Sequence, residues 1–321
     1  MPLAAAAAMP EPIVRLLRQV AHHAAPLGLE AALVGGAVRD LLLGHAPTDI
    51  DVAVGGRPAD VSALAELLGR SLGGIMEGHA AFGTASLRLH GEAIRLDLAM
   101  RRREFYPRPG ALPRVEPGTW EEDLARRDFT INAMAWPLAF LAAVAEPTPV
   151  QVWPRDLLAV PEALPDLSRG LVRVLHDGSF CDDPTRLMRA ARTAARLGFR
   201  LEPGTRALAE QAMHGGALDT VTPRRIAQEV RLTAREGTAW TAFALLDGLG
   251  VWKTLLPQWG VGVGAGPQGR LLEEGLAALK QVKAVRAEPW RARLLAWLDG
   301  GTTPHTASGA EAEAGAEAVV S

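Results

Sequence analysis

One cysteine, Cys181, stands in the 321 residues. That excludes an intrachain disulfide and fits a reducing compartment, so a cytoplasmic location is the expectation. No basic stretch precedes the N-terminal alanines in MPLAAAAAMP, which makes a poor secretory signal. Long apolar runs are missing too. The longest, Trp136 to Ala145, falls well short of the roughly 20 residues that span a bilayer, so no membrane partner is expected. A basic surplus is absent: net charge is -2, although distribution matters more than the sum. Between Leu171 and Arg235 there is no lysine, but 11 arginines face 7 Asp plus Glu. A local basic surface can gather there; the plainer reading is a solvated helical face. No Walker or dinucleotide glycine motif occurs, which sets aside ordinary metabolic nucleotide-binding enzymes.

What is present is a chain long enough for two or three domains, with 48% hydrophobic and 22% charged residues. Pro12 to Ala25 reads as an amphipathic helix, and Leu29 to Val34 as a buried strand ending at Gly35-Gly36. Ala37 to Leu43 begins a helix closed by Gly44, Asp49 to Val54 alternates like a strand, and Asp60 to Leu72 is helical. Gly83 to Leu89 and Glu92 to Met100 predict two more strands, and proline-rich Tyr106 to Pro117 predicts a loop. This is an α+β pattern. After Pro165 strand signals vanish. Helices are predicted at Asp183 to Leu197, Thr205 to Met213, Pro223 to Glu236 and Thr238 to Leu249, then near Leu271 to Val285 and Pro289 to Leu298. From Gly300 onward Gly, Ala, Thr and Glu dominate and predict disorder.

One segment asks for more than a fold: GGAVRDLLLGHAPTDIDVAV, Gly35 to Val54. On a strand, Asp49 and Asp51 point to one face. Two adjacent carboxylates repel unless a cation sits between them, and oxygen ligands at that spacing suit Mg²⁺ with substrate phosphates. The glycine pair falls where a strand turns into a helix, and absent Cβ atoms there let a phosphate approach backbone N–H groups. Arg39, one turn into that helix, adds a fork of donors. A lone Asp-x-Asp pair is usually a surface or turn feature; the order and spacing here make it specific.

The segment resembles the signature of the nucleotidyltransferase superfamily, in the branch of bacterial tRNA nucleotidyltransferases (CCA-adding enzymes) and poly(A) polymerases. The resemblance implies that Gly36, Arg39, Asp49 and Asp51 bind a nucleoside triphosphate and two Mg²⁺ ions, with Asp49 and Asp51 as catalytic metal ligands. Asp97, on a later strand, is the possible third carboxylate or an ordinary strand-end aspartate. A second stretch, Arg126-Arg127-Asp128-Phe129-Thr130-Ile131-Asn132-Ala133, resembles the family motif Arg-Arg-Asp-Phe-Thr-x-Asn-Ala. Physically, Arg127 can hold phosphate bidentately, Asp128 can accept from a ribose hydroxyl, and Asn132 can hold that sugar or a neighbouring loop. Alone it would read as a helix-surface charge cluster. A third stretch, Asp182-Asp183-Pro184-Thr185-Arg186, resembles the family's Glu-Asp-x-x-Arg, with Asp182 where Glu is usual. Pro184 suits a first helical turn, and Asp183, Arg186 and Arg189 recur every three residues on one face. Alone it would read as a capped helix with ion pairs.

The third motif has a chemical logic. Cytosine and adenine each present an amino donor beside a ring-nitrogen acceptor, so Asp183 accepts from one and Arg186 donates to the other. Uracil and guanine present the reverse, at roughly 1–3 kcal/mol per unsatisfied group. Arg189 and Arg192 continue toward the phosphates. The resemblance spans roughly residues 27 to 250. It implies a nucleotidyltransferase head with a small mixed sheet and flanking helices (27–150), a neck with the base-reading helix (151–215) and an all-helical body (216–299); periodicity and composition add an N-terminal helix (1–26) and a disordered tail (300–321). The implied reaction adds CMP and/or AMP from CTP and/or ATP to the tRNA 3′ end, with Arg224 and Arg225 among the tRNA-facing arginines. The stretch Arg103 to Pro113 holds Pro107, Pro109 and Pro113, which stiffen a loop, and it resembles CC-adding relatives more than CCA-adding ones. The alternatives are a poly(A) polymerase and a non-catalytic RNA-binding relative.

Overall fold

The computed structural model describes residues 7–79, 83–89, 94–142 and 150–259. The helices expected beyond residue 270 and the tail from Gly300 lie outside the described residues. In the first half, β1 (Ala7–Ala8) leads into α1 (Glu11–Ala24), β2 (Ala31–Val34), α2 (Gly36–Leu42), β3 (Asp49–Val54) and α3 (Pro58–Leu72). There follow β4 (Gly74–His79), β5 (Thr84–Leu89), β6 (Arg95–Met100), β7 (Arg102–Phe105), β8 (Arg114–Pro117), α4 (Trp120–Ala125) and β9 (Met134–Pro137). Next come β10 (Gln151–Val152), paired with β1, and β11 (Leu158–Ala159).

Seven strands form one mixed sheet in the order β11-β9-β2-β3-β6-β5-β4. Only β3 and β6 run parallel, because α3 and the β4–β5 hairpin carry the chain back between them. Alternation along β3 sorts its side chains by face. Ile50, Val52 and Val54 are buried in the same core as Ile13, Leu17 and Val20 of α1 and Leu64 and Leu68 of α3. Asp49 and Asp51 point the other way and are exposed. Beyond them on that face, Ala53 joins a second small core with Ala32, Val34, Leu124, Ala133 and Ala135. The sheet thus puts two carboxylates at the open end of an otherwise covered face.

Two expectations change here. Tyr106 to Pro117 is not all loop: Arg114–Pro117 pairs with Arg102–Phe105 as a hairpin, joined by Arg103 to Glu116 at 2.8 Å. Pro107, Pro109 and Pro113 all fall in its connecting loop, and Pro117 ends the strand, so no proline interrupts the ladder. Strand β4 was not expected at all.

The second half is helical: α5 (Ala163–Arg169), α6 (Ser179–Asp182), α7 (Thr185–Leu197), α8 (Pro203–His214), α9 (Pro223–Ala234), α10 (Ala239–Gly248) and α11 (Val251–Trp259). One short parallel pair, β12 (Leu171–Val172) with β13 (Arg200–Leu201), interrupts it. Helix α7 is central. Its Ala190, Ala191 and Ala194 are fully buried, and such small residues let α10 and α9 approach closely.

Candidate active site

The site forms where the open end of the sheet meets α7. Two cavities adjoin there, of about 240 and 390 Å³, and share Gly36, Asp51, Asp128, Asn132 and Arg189. All eleven residues given a role from the motifs line one or the other: Gly36, Arg39, Asp49, Asp51, Arg127, Asp128, Asn132, Asp183, Arg186, Arg189 and Arg192. Asp97 lines neither.

The glycine turn comes first. Gly35 has φ 70°, a conformation that L side chains rarely adopt, and a Cβ there would lie 2.8 Å from Arg127 Nη1. So Gly35, rather than Gly36 alone, sets how closely Arg127 approaches the turn. Arg39 is 1% exposed. Its Nε and Nη2 donate to Asp40 Oδ1 at 2.8 and 2.6 Å, and Nη1 donates to Asn132 Oδ1 at 2.5 Å. It therefore clamps the first motif to the second. Burial pulls its pKa down, against the opposing pull of Asp40.

The second motif is built on a buried acid. Thr119 caps α4, and Asp123 in its first turn is wholly buried. Asp123 accepts from Arg126 Nη2 at 2.6 Å, Arg127 Nη2 at 2.8 Å and the Arg102 backbone N–H at 3.1 Å. Burial opposes its ionisation, but Arg127 and Arg126 prevail and its pKa is lowered. Asp128 accepts from Arg189 Nε and Nη2 at 3.0 and 2.5 Å, and from Asn132 Nδ2 and the Phe129 N–H at 2.9 Å each. Burial again opposes ionisation, yet Arg189 and Asn132 hold the carboxyl far below the usual range.

The third motif departs in detail from its sequence reading. Helix α7 begins at Thr185, so Asp183 lies before it, in extended backbone, and does not share its face. Asp183 Oδ1 accepts from the Thr185 N–H at 3.0 Å, Thr185 Oγ1 at 2.6 Å and Arg225 Nη2 at 2.8 Å. Arg186 is 5% exposed and donates to Ser179 Oγ at 2.5 Å and the Arg126 carbonyl at 2.9 Å. Arg192 pairs with Glu229 at 2.7 Å. The expectation that Arg225 faces RNA is corrected: its guanidinium turns inward to Asp183.

Asp49 and Asp51 carry no side-chain hydrogen bond or ion pair among the described residues, in contrast to every acid just named. Asp51 is open to solvent on one side but crowded by the cleft walls, which desolvate it in part; that and the repelling Asp97 and Asp49 charges raise its pKa despite the opposing Arg127. Two unpartnered carboxylates on one strand face, one of them resisting ionisation, are a donor set that a divalent cation relieves. Asp97 sits opposite Asp51 in the β3–β6 register, but Arg95 holds it at 2.9 Å and Ser86 donates to it. Among the described residues, no cluster of three or more His, Cys, Asp or Glu stands ready to hold a metal.

Sequence reasoning missed Asp123, Glu104, Tyr106 and the inward Arg225. Tyr106 donates to Glu104 at 3.0 Å, and burial together with that carboxylate pushes the phenol pKa up to about 12. Glu104 also pairs with Arg126 at 3.1 Å. Only the acid run Glu121-Glu122-Asp123 left a trace in the sequence, as an ordinary first-turn signal.

Residues 31–145 match the family model described as the Poly A polymerase head domain. The chain is 38% identical over 247 residues to the A-adding tRNA nucleotidyltransferase of Halalkalibacterium halodurans, across 76% of this chain and 54% of that protein. It is 43% identical over 242 residues to the CC-adding tRNA nucleotidyltransferase of Deinococcus radiodurans, across 75% and 59%. The chain thus spans little more than half the length of these two relatives. Among solved structures, a CCA-adding enzyme in an apo form superposes with TM-score 0.67 at 32% identity, across 88% of this chain and 67% of that one.

Proposed function

This chain belongs to the family of bacterial tRNA nucleotidyltransferases and poly(A) polymerases, and from that premise we propose that it transfers nucleotides from CTP and/or ATP to the 3′ end of tRNA. The observation that carries the proposal is the pair Asp49 and Asp51, unpartnered among the described residues and set where two cavities lined by all three motifs meet. Asp49 and Asp51 would hold the divalent ions, two in this reading, which would supply charge neutralisation at the α-phosphate and a lowered pKa for the attacking 3′-hydroxyl.

The protein's own groups do the positioning. Arg127, held by Asp123, presents its Nη1 toward the Gly35 turn and binds phosphate there. Asp128 fixes Arg189 and Asn132 beside the ribose. Asp183 Oδ2, which has no partner among the described residues, accepts the amino group of cytosine or adenine. Arg186, immobilised by Ser179 and the Arg126 carbonyl, donates its remaining N–H to the ring nitrogen. Uracil and guanine meet this pair with the wrong polarity.

CC addition is the finer reading. The stiff segment between β7 and β8 supports it, and so does similarity to a CC-adding relative. The test is incorporation of labelled CTP and ATP into tRNA ending at the discriminator base, after one C and after two. CC addition predicts two CMP on the first substrate, one on the second and nothing on the third. AMP on the third alone makes it an A-adding enzyme. A long A ladder on unstructured RNA makes it a poly(A) polymerase, a reading that the head-domain match also supports. Equal residual activity of Asp49→Ala and wild type would leave only an RNA-binding relative.

A further inference from the structure

Arg225 joins three parts of the molecule with one guanidinium. It sits in the first turn of α9, where Nη1 donates to the Gly110 carbonyl and Nη2 to Asp183 Oδ1, each at 2.8 Å. Gly110 belongs to the loop of the β7–β8 hairpin, and Asp183 precedes α7. The loop is also fixed by its backbone, since the Gly110 N–H donates to the Cys181 and Asp182 carbonyls at 3.2 Å. Gly110 has φ +68°, and a Cβ there would collide with Thr220 Oγ1 and lie 2.6 Å from the Thr220 carbonyl oxygen. Only glycine lets this loop rest against the turn that precedes α9.

The consequence falls on Asp183. Its Oδ1 is saturated by Thr185 and Arg225, Oδ2 has no partner among the described residues, and Asp183 lines the larger cavity. A carboxylate pinned on one oxygen presents its other oxygen in a fixed direction. One that rotates can meet a wrong base in a second orientation. We propose that Arg225 is a positioning residue for nucleobase selection, locking Asp183 in the orientation that accepts an amino group and referencing it to the Gly110 loop. The inference rests on reading Asp183 and Arg186 as the base-selecting pair. Lysine cannot replace it, because a single ammonium on a flexible stem does not reproduce a planar fork spanning two acceptors.

The test uses Arg225→Gln, Arg225→Lys and Gly110→Ala, with Asp183→Ala as the reference. Kd for CTP, ATP, UTP and GTP is measured by equilibrium titration without tRNA, and kcat and KM are measured for each on tRNA. Loss of one charge-assisted bond to the selecting carboxylate is expected to lower the preference for CTP over UTP about tenfold in both Arg225 variants. The loss should appear in KM and Kd more than in kcat, and Gly110→Ala should reproduce it. Arg225→Lys keeps the charge and carries the test if Arg225→Gln does not fold. Equal weakening of all four nucleotides, with the preference intact, makes Arg225 a structural clamp and overturns the inference. If Asp183→Ala itself leaves the preference unchanged, the base-selecting reading fails first and takes the inference with it.

Discussion

Replacing Asp123 by asparagine removes one negative charge from beneath two arginines. The wild-type carboxylate is fully buried and accepts from Arg126, Arg127 and the Arg102 N–H. Asparagine keeps one carbonyl oxygen but turns an amide NH₂ toward a guanidinium. Breaking a buried charge pair by removing one partner costs about 3–5 kcal/mol. For a folded unit of this size that lowers the melting temperature by roughly 2–4 °C per kcal/mol, so a fall of about 6–20 °C is expected. A functional loss should accompany it, because Arg127 then has no anchor behind the Gly35 turn, and Kd for CTP should rise about tenfold. The pH dependence has a definite sign. The folded pKa of Asp123 is depressed, so its stabilisation is present above the unfolded value near ~3.9 and is lost as pH falls through the folded value. Calorimetric melts between neutral pH and pH 3, with CTP titration at neutral pH, read all of this. An Asp123→Asn protein that melts within about 2 °C of wild type and binds CTP normally would refute the hub assigned to Asp123.

Three further outcomes are expected. Asp51 resists ionisation, so its charge costs stability at neutral pH and costs nothing below the unfolded pKa; Asp51→Asn should therefore melt at or above wild type, lose nucleotidyl transfer and lose any Mg²⁺-induced rise in melting temperature. Gly35→Ala combines a strained φ with a clash against Arg127; about 1–3 kcal/mol of stability and most CTP affinity should go, as read by melts and titration. Tyr106 is the single tyrosine of the 321 residues, so ultraviolet absorbance titration reports it alone; its midpoint should lie at about 12, and a midpoint near the ordinary value for tyrosine would deny its burial beside Glu104.

Local chemistry made the reactive strand legible. Asp49 to Val54 alternates cleanly, sits between turn residues and forms the strand it predicts. The helices from α7 to α10 follow their apolar periodicity in the same way. The hairpin of β7 and β8 is masked by its proline content, although the prolines fall only at the connection and the strand end. Segment Gly74–His79 has glycine at its start and in its interior, which weakens any strand signal; pairing with β5 supplies what propensity lacks. Within the site, residue types were legible but their pairing was not. Nothing in one dimension puts Arg225 on an acid 42 residues away, or sinks Asp123 while leaving Glu121 and Glu122 outside. Those depend on how α4, α7 and α9 pack, and packing overrides periodicity.

The arginines of the cleft bring their own counter-charges. Arg189 rests on Asp128, Arg192 on Glu229 and Arg225 on Asp183. A surface of bare arginines condenses solvent anions, and a polyanion that docks on it sheds condensed ions from both sides, so affinity falls steeply with added salt. Here a docking phosphate meets arginines whose charge tethered carboxylates already offset, so fewer mobile anions are there to leave the protein. The grip of this cleft on a polyphosphate should accordingly be less sensitive to ionic strength than its wealth of arginine suggests.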